Sequence, residues 1–347
     1  MERKAFGKLA DGEEATLYTI SNTKGMYAQI TDFGASIVSL VVKDKDGKNT
    51  DVVLGYENAE TYQQQMASFG AVVGRNCNRI ANAKFTINGV EYQLEANDNE
   101  NSLHSGSNGT SERFWNVISC TDQMITLQIE DADLQQGYPG NAVIQVTYEV
   151  TEDNGLAITY HAKADKDTVF NFTNHAYINL NGHASGSVLD QTLQIKASHF
   201  TPVKDGKAIP TGELADVEGT PFDFRIAKPI GRDINAENDQ LKYGSGYDHN
   251  FALDHTGNGV EKVATAYAPE SGIQMEVYTD CPGMQFYSAN FIQGQKGKGG
   301  VIYKEREAFC LETQYFPNSV NEPNFQSPIT AAGKDYASKT IYKFSIA

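Results

Sequence analysis

The chain has 347 residues, 40% hydrophobic and 21% charged, which describes a soluble globular protein with ample material for a core. Its formal net charge of −16 argues against nucleic acid and anionic membranes as partners, because a phosphate backbone requires a basic face. Such acidity serves solubility and suits a neutral ligand better than an anionic one.

Length alone allows one large domain or two ordinary ones. Cys77, Cys120, Cys281 and Cys310 have no CxxC or other metal spacing and read as reduced thiols. Met1–Phe6 lacks an apolar signal region, and no stretch approaches the ~18 apolar residues of a membrane span. The expected location is therefore the cytoplasm.

In chain order, Glu57–Ser68 is the one convincingly helical stretch. Lys84–Ile87 and Val90–Leu94 alternate around Asn88-Gly89, a strong hairpin signal because both positions tolerate positive φ. Met124–Glu130 follows, then Ala142–Val150 and Leu156–Ala164 around a Glu-Asp-Asn-Gly turn. Further strands are predicted at Val188–Lys196, Glu261–Ala268, Ile273–Thr279, Met284–Phe291 and Thr340–Ile346. The Gly/Lys-rich run Gln295–Gly300 reads as a mobile hairpin loop. Strands and turns without intervening helices predict antiparallel sheets. The 18 Tyr and 17 Phe suit the apolar layer between two sheets. The expected fold is all-β, a large antiparallel β-sandwich running over residues 1–347 as a single domain.

Chemistry concentrates in a few segments. Glu312 lies in Phe309–Gln314, otherwise a buried strand, where a carboxylate is costly unless it has a task. Of the seven histidines, none has HxH, HxxxH or HExxH spacing, so no local metal site is indicated. His183, His199, His249 and His255 adjoin turns and read as surface or supporting polar groups, and His161 as structural. His104 precedes Ser105-Gly106 in a loop, and His175 follows an Asn-rich stretch. Alternation puts His175, Tyr177 and Asn179 on one strand face. Arg75 and Arg79, with Asn76 and Asn78 between and beside them, could bind phosphate or sugar hydroxyls, or form a surface ion-pair network. Asp248 and Gln285 each enter an apolar strand, and together they could hold vicinal hydroxyls. A Glu and two His gathered by a fold would move protons on and off oxygen.

Taken in order, these segments resemble the aldose 1-epimerase (galactose mutarotase) family. Asn78-Arg79-Ile80 with His104 is similar to its NRI…LHG pattern, Asn174–Leu180 to NHxYxNL, Gly246–His249 to G[YF]DH, and Leu311–Gln314 to LETQ. Gly137–Gly140 and the stretch from Thr201-Pro202 to Phe224 add to the likeness. Two positions depart from the pattern: Cys77 stands where a small residue is usual, and Ser105 replaces a Gly. The resemblance implies a mutarotase-type sandwich with a sugar in an open cleft. It implies Glu312 as general base and His175 as general acid, with Asn78, Arg79, His104, Asp248 and Gln285 binding substrate; Tyr177, on the His175 face, is expected to bind substrate as well.

Interconverting α- and β-hexopyranoses such as D-galactose and D-glucose needs a base at the C1 hydroxyl and an acid at ring oxygen O5, so no metal or redox cofactor is expected. Burial should raise the Glu312 pKa, while His175 is expected near its free value of about 6.5, giving an active window around neutrality. The alternatives are a glycoside hydrolase using Asp248 and Glu312, a non-catalytic carbohydrate-binding module, and a sugar-phosphate epimerase. A second basic cluster for a phosphate is absent from the sequence, and so is an obvious aromatic platform, Trp115 being the sole Trp. Monomer and homodimer both remain open.

Overall fold

The computed structural model describes residues 2–64 and 67–347. Its largest element is a nine-stranded antiparallel sheet. In spatial order the strands are Asn116–Cys120, Met124–Asp131, Ala142–Val150, Gly155–Ala164, Asp335–Ile346, Ile273–Thr279, Glu261–Tyr267, Thr192–Ile195 and Lys228–Pro229. The C-terminal strand lies in the middle and pairs with Gly155–Ala164 on one side and Ile273–Thr279 on the other. An N-terminal five-stranded sheet runs from Glu2–Lys8 to Asn49–Asp51. A second five-stranded sheet is ordered Ala215–Asp216, His199–Phe200, Asp248–Ala252, Gly283–Tyr287 and Cys310–Gln314.

One apolar cluster draws on all three sheets. Ile20, Ile30 and Leu40 come from the N-terminal sheet, Ile144, Ile158 and Val277 from the large one, and Phe251, Phe286 and Leu311 from the third. Alternation along the strands sends one set of side chains into this layer and the other set to the opposite face of its sheet. The sandwich architecture and the Asn88-Gly89 hairpin, in which Ile87 pairs with Val90, match the sequence reading. Among the described residues no helix is long and apolar enough to cross a membrane.

Several boundaries differ from expectation. The helix covers Ala59–Gln64; Gln65 and Met66, within the expected Glu57–Ser68, lie outside the described residues. A second helix, Asp239–Gly244, is capped by Asn238, whose side chain accepts from the amides of Gln240 and Leu241. The Val188–Lys196 strand shrinks to Thr192–Ile195 because Val188 and Gln191 close a turn. The Met284–Phe291 strand ends at Tyr287, where the chain turns to present Phe291. The Gly/Lys-rich run does form a hairpin, Gln295–Lys296 against Ile302–Tyr303, but it is pinned rather than mobile. Lys298 Nζ bonds the carbonyls of Val38 (2.7 Å) and Val53 (2.8 Å) and the Asp51 carboxylate (2.7 Å).

The two arginines do not act as a pair. Arg75 is 1% exposed, and its guanidinium meets Asp131 at 2.9 Å, with Arg113 on the other carboxylate oxygen at 2.5 Å. That is a buried structural ion network, neither a surface cluster nor an anion site. His249 takes the supporting rather than the surface alternative, buried against Phe200 and Phe222 with its Nδ1 accepting the Asp248 amide at 3.1 Å, while His161 is exposed. All four cysteines are reduced, with three of them buried.

Candidate active site

Strand register builds the site floor. Asp248 pairs with Tyr287, which pairs with Cys310; one row away, Asn250 pairs with Gln285, which pairs with Glu312. Paired residues share a face, as do residues two apart, so both rows face the same way. The intervening Phe286 and Leu311 face the core. Gly283 leaves room beside this floor, since a Cβ there would stand 2.5 Å from Asn250 Oδ1.

A second contribution comes from Ser102-Leu103, which pairs with Arg79-Ile80 and so brings the two loop motifs together. His104 sits at φ 55° and Asn78 at φ 61°, the tight left-handed geometry that lets them face each other. The His104 amide donates to the Asn78 carbonyl (3.1 Å), and the Asn78 amide donates to His104 Nδ1 (3.0 Å). An amide N–H can only donate, so Nδ1 is unprotonated and neutral His104 carries its proton on Nε2. Ser105, also at positive φ, takes up the departure from glycine by donating to the Asn76 carbonyl at 3.0 Å.

His175 follows the short strand Thr173-Asn174, which pairs with Val72-Val73. Its ring stacks on Tyr177 (centroids 4.9 Å apart, 15°), and its Nδ1 lies 3.6 Å from Cys310 Sγ. Asn179 does not share that face: its amide donates to the carbonyls of Gly186 and Glu307, because the chain leaves extended geometry after Asn174.

These elements enclose a cavity of about 330 Å³, lined by Asn78, Arg79, His104, His175, Tyr177, Asp248 and Glu312. Gln285 is reached through Asp248, to whose Oδ1 it donates at 2.8 Å. Arg79 donates to Asp98 at 2.8 Å and stands 3.9 Å from Asp248. Glu312 Oε2 faces His175 Nε2 across 3.6 Å and has no hydrogen-bond partner among the described residues. Ser68, Leu103, Tyr287, Phe291, Ile292 and Gln295 also line the cavity, and sequence reasoning passed over them. Tyr287 was within reach, two positions from Gln285 on the same strand face. Phe291 is 58% exposed and stacks on Tyr287, so an aromatic surface does exist at the mouth. Trp115 takes no part, being buried in the core.

Burial dominates the electrostatics. It raises the Glu312 carboxyl well above the usual range, helped by nearby Asp248 and opposed by Arg79. Burial likewise raises Asp248, against the pull of Arg79. It pushes His175 down to about 4, contrary to the expectation of a near-free value. His104 falls well below its ordinary value through burial, then His175 and Arg79. The cavity thus favours the neutral forms of Glu312 and His175.

His104, His175 and Glu312 can each aim one ligand atom so that all three lie within 4.8 Å. A metal does not fit this trio as hydrogen-bonded, because His104 Nδ1 already accepts the Asn78 amide and Nε2 carries the proton.

An antiparallel sandwich presents carboxylate, imidazole and guanidinium groups to one small cavity, an arrangement that can hold a polar ligand and exchange protons with it. The aldose 1-epimerase family model matches residues 16–343, and the chain belongs to that family. Aldose 1-epimerase of Escherichia coli K12 is 38% identical over 336 residues, covering 96% of each chain. Human galactose mutarotase is 40% identical over 349 residues, covering 99% of this chain and 98% of its own. Among solved structures, an aldose epimerase homologue from C. elegans superposes with a TM-score of 0.88 at 31% identity, covering 95% of this chain and 99% of its own.

Proposed function

We propose that this chain, an isomerase of the aldose 1-epimerase family, interconverts the α and β anomers of aldohexoses such as D-galactose and D-glucose, with Glu312 and His175 as its acid–base pair. The observation that carries the assignment is the 3.6 Å separation of Glu312 Oε2 and His175 Nε2 in a buried cavity. A pyranose with C1 and O5 at this pair meets one group at each reacting oxygen.

In the ionised form of the pair, with its one proton on His175, Glu312 takes the proton from O1 as His175 delivers its own to O5. The C1–O5 bond breaks, C1 becomes an aldehyde carbon, and rotation about C1–C2 turns its other face to O5. Ring closure reverses both transfers and yields the other anomer, leaving the pair as it began. The pair must hold one proton, and the ionised pair and the neutral pair have the same proton count. His104 offers a fixed Nε2–H donor to a sugar oxygen, while Arg79 and Asp248 supply a donor and an acceptor for hydroxyls. Tyr177 holds the His175 ring by stacking.

A glycoside hydrolase is disfavoured because its carboxylate pair would be Asp248 and Glu312, and Asp248 is engaged by Gln285 and Arg79. Polarimetry of freshly dissolved α-D-galactose and α-D-glucose tests the proposal. Accelerated decay to the equilibrium rotation supports it; a decay no faster than the spontaneous one contradicts it.

A further inference from the structure

The hairpin that follows Phe291 supplies one cavity residue, Gln295, that has no part in the acid–base step. Two contacts hold it there. The buried Tyr56 hydroxyl donates to Gln295 Oε1, so the amide's acceptor is occupied. Three residues on, Lys298 Nζ bonds the backbone of Val38 and Val53 and the side chains of Ser39 and Asp51, which fixes the hairpin against the N-terminal sheet. Gly297 permits this close docking, because a Cβ there would stand 1.9 Å from the Tyr303 ring. The Gln295 Nε2 group has no protein partner among the described residues. A half-buried amide with its carbonyl taken, its loop pinned and its donors free on a cavity wall is prepared to donate to a ligand.

We propose that Gln295 is a substrate-contacting residue whose Nε2–H donates to a pyranose oxygen away from the C1–O5 bond, with Tyr56 and Lys298 positioning it. The inference rests on the reading of this cavity as a sugar site. The reacting bond belongs between Glu312 and His175, so Gln295 contributes to binding equally in ground and transition states. Such a contact changes KM and leaves kcat in place.

Isothermal titration of D-galactose and D-glucose into the wild-type protein and the Gln295→Ala, Gln295→Glu and Tyr56→Phe variants tests it, with polarimetry in parallel. Gln295→Ala and Gln295→Glu should both weaken binding by roughly 2- to 12-fold, the net loss of one hydrogen bond. KM should rise to match, and kcat should stay within about twofold. Gln295→Glu keeps an acceptor for Tyr56 but loses the donor, so it separates donation to the sugar from support of the loop. Tyr56→Phe, which frees the amide without removing it, should give a smaller loss. Monodeoxygalactoses then identify the oxygen: the one lacking the contacted hydroxyl binds wild type and Gln295→Ala alike. If wild type binds sugar and both Gln295 variants bind equally well, the inference fails and the sugar-site reading stands. Native affinity in Gln295→Glu alone also overturns it, because the donor would then be dispensable. If wild type binds neither hexose, the sugar-site reading fails and takes the inference with it.

Discussion

Oε2 of Glu312 and Nε2 of His175 face each other across 3.6 Å in a cavity where Glu312 is 2% and His175 6% exposed. Desolvation opposes charge on both, so the pair at rest holds its single proton on the carboxyl and leaves the imidazole neutral. On the proposed mechanism, a sugar placed between them needs one proton in the pair.

The pH–rate profile follows from that proton count. On the acid side kcat/KM falls when the pair gains a second proton, and the depressed His175 places this limb near 4. On the alkaline side it falls when the last proton leaves, which the raised Glu312 delays. The expected profile is a broad plateau across neutrality, measured by polarimetry and corrected for spontaneous mutarotation. An acid limb at about 6.5, the free imidazole value, would contradict it.

Stability should show the same groups with opposite signs. Glu312, raised in the fold, favours folding fully below its unfolded pKa of about 4.5, and that contribution is lost as pH rises toward its folded value. His175, depressed in the fold, contributes above about 6.5 and loses that contribution as pH falls toward 4. Glu312→Gln should therefore melt higher than wild type at pH 8, with the advantage shrinking toward pH 5. Parallel Tm curves across that range would count against a raised Glu312.

The two histidines should separate kinetically. On the proposed mechanism His175→Asn removes the acid and should lower kcat by roughly 10²–10⁴-fold. His104→Asn removes a fixed donor to the sugar and should raise KM as well as lowering kcat. Equal, purely KM-type effects at both positions would contradict this division.

Away from the cavity, Asp131 sits between Arg75 and Arg113 with almost no exposure. Asp131→Ala leaves the buried Arg75 charge uncompensated and should cost about 3–5 kcal/mol in denaturant unfolding. A loss below about 1 kcal/mol would mean that the network relaxes to water.

Much of this was legible because strand alternation and short motifs are local. Ala142–Val150 was bounded as observed, and Asp248 and Glu312 stood out as carboxylates in apolar strands. The N-terminal sheet was not read from sequence: in Ile37–Lys43 six consecutive positions are buried, so period-2 contrast vanishes. Arg75 and Arg79 look alike in sequence and are told apart by their tertiary partners, Asp131 for the first and Asp98 and Asp248 for the second. The fall of His175 toward 4 depends on burial by the rings of Tyr177, His104 and Tyr287, contacts made by tertiary packing. Tyr56 meets Gln295 across 239 residues, a separation no local pattern encodes.

The central claim is that Glu312 moves the proton on O1, and polarimetry of α-D-galactose with Glu312→Gln tests it most directly. Titration of the sugar should show binding retained, while kcat falls by roughly 10²–10⁴-fold relative to wild type. Turnover near the wild-type rate in a variant that still binds galactose would contradict the account.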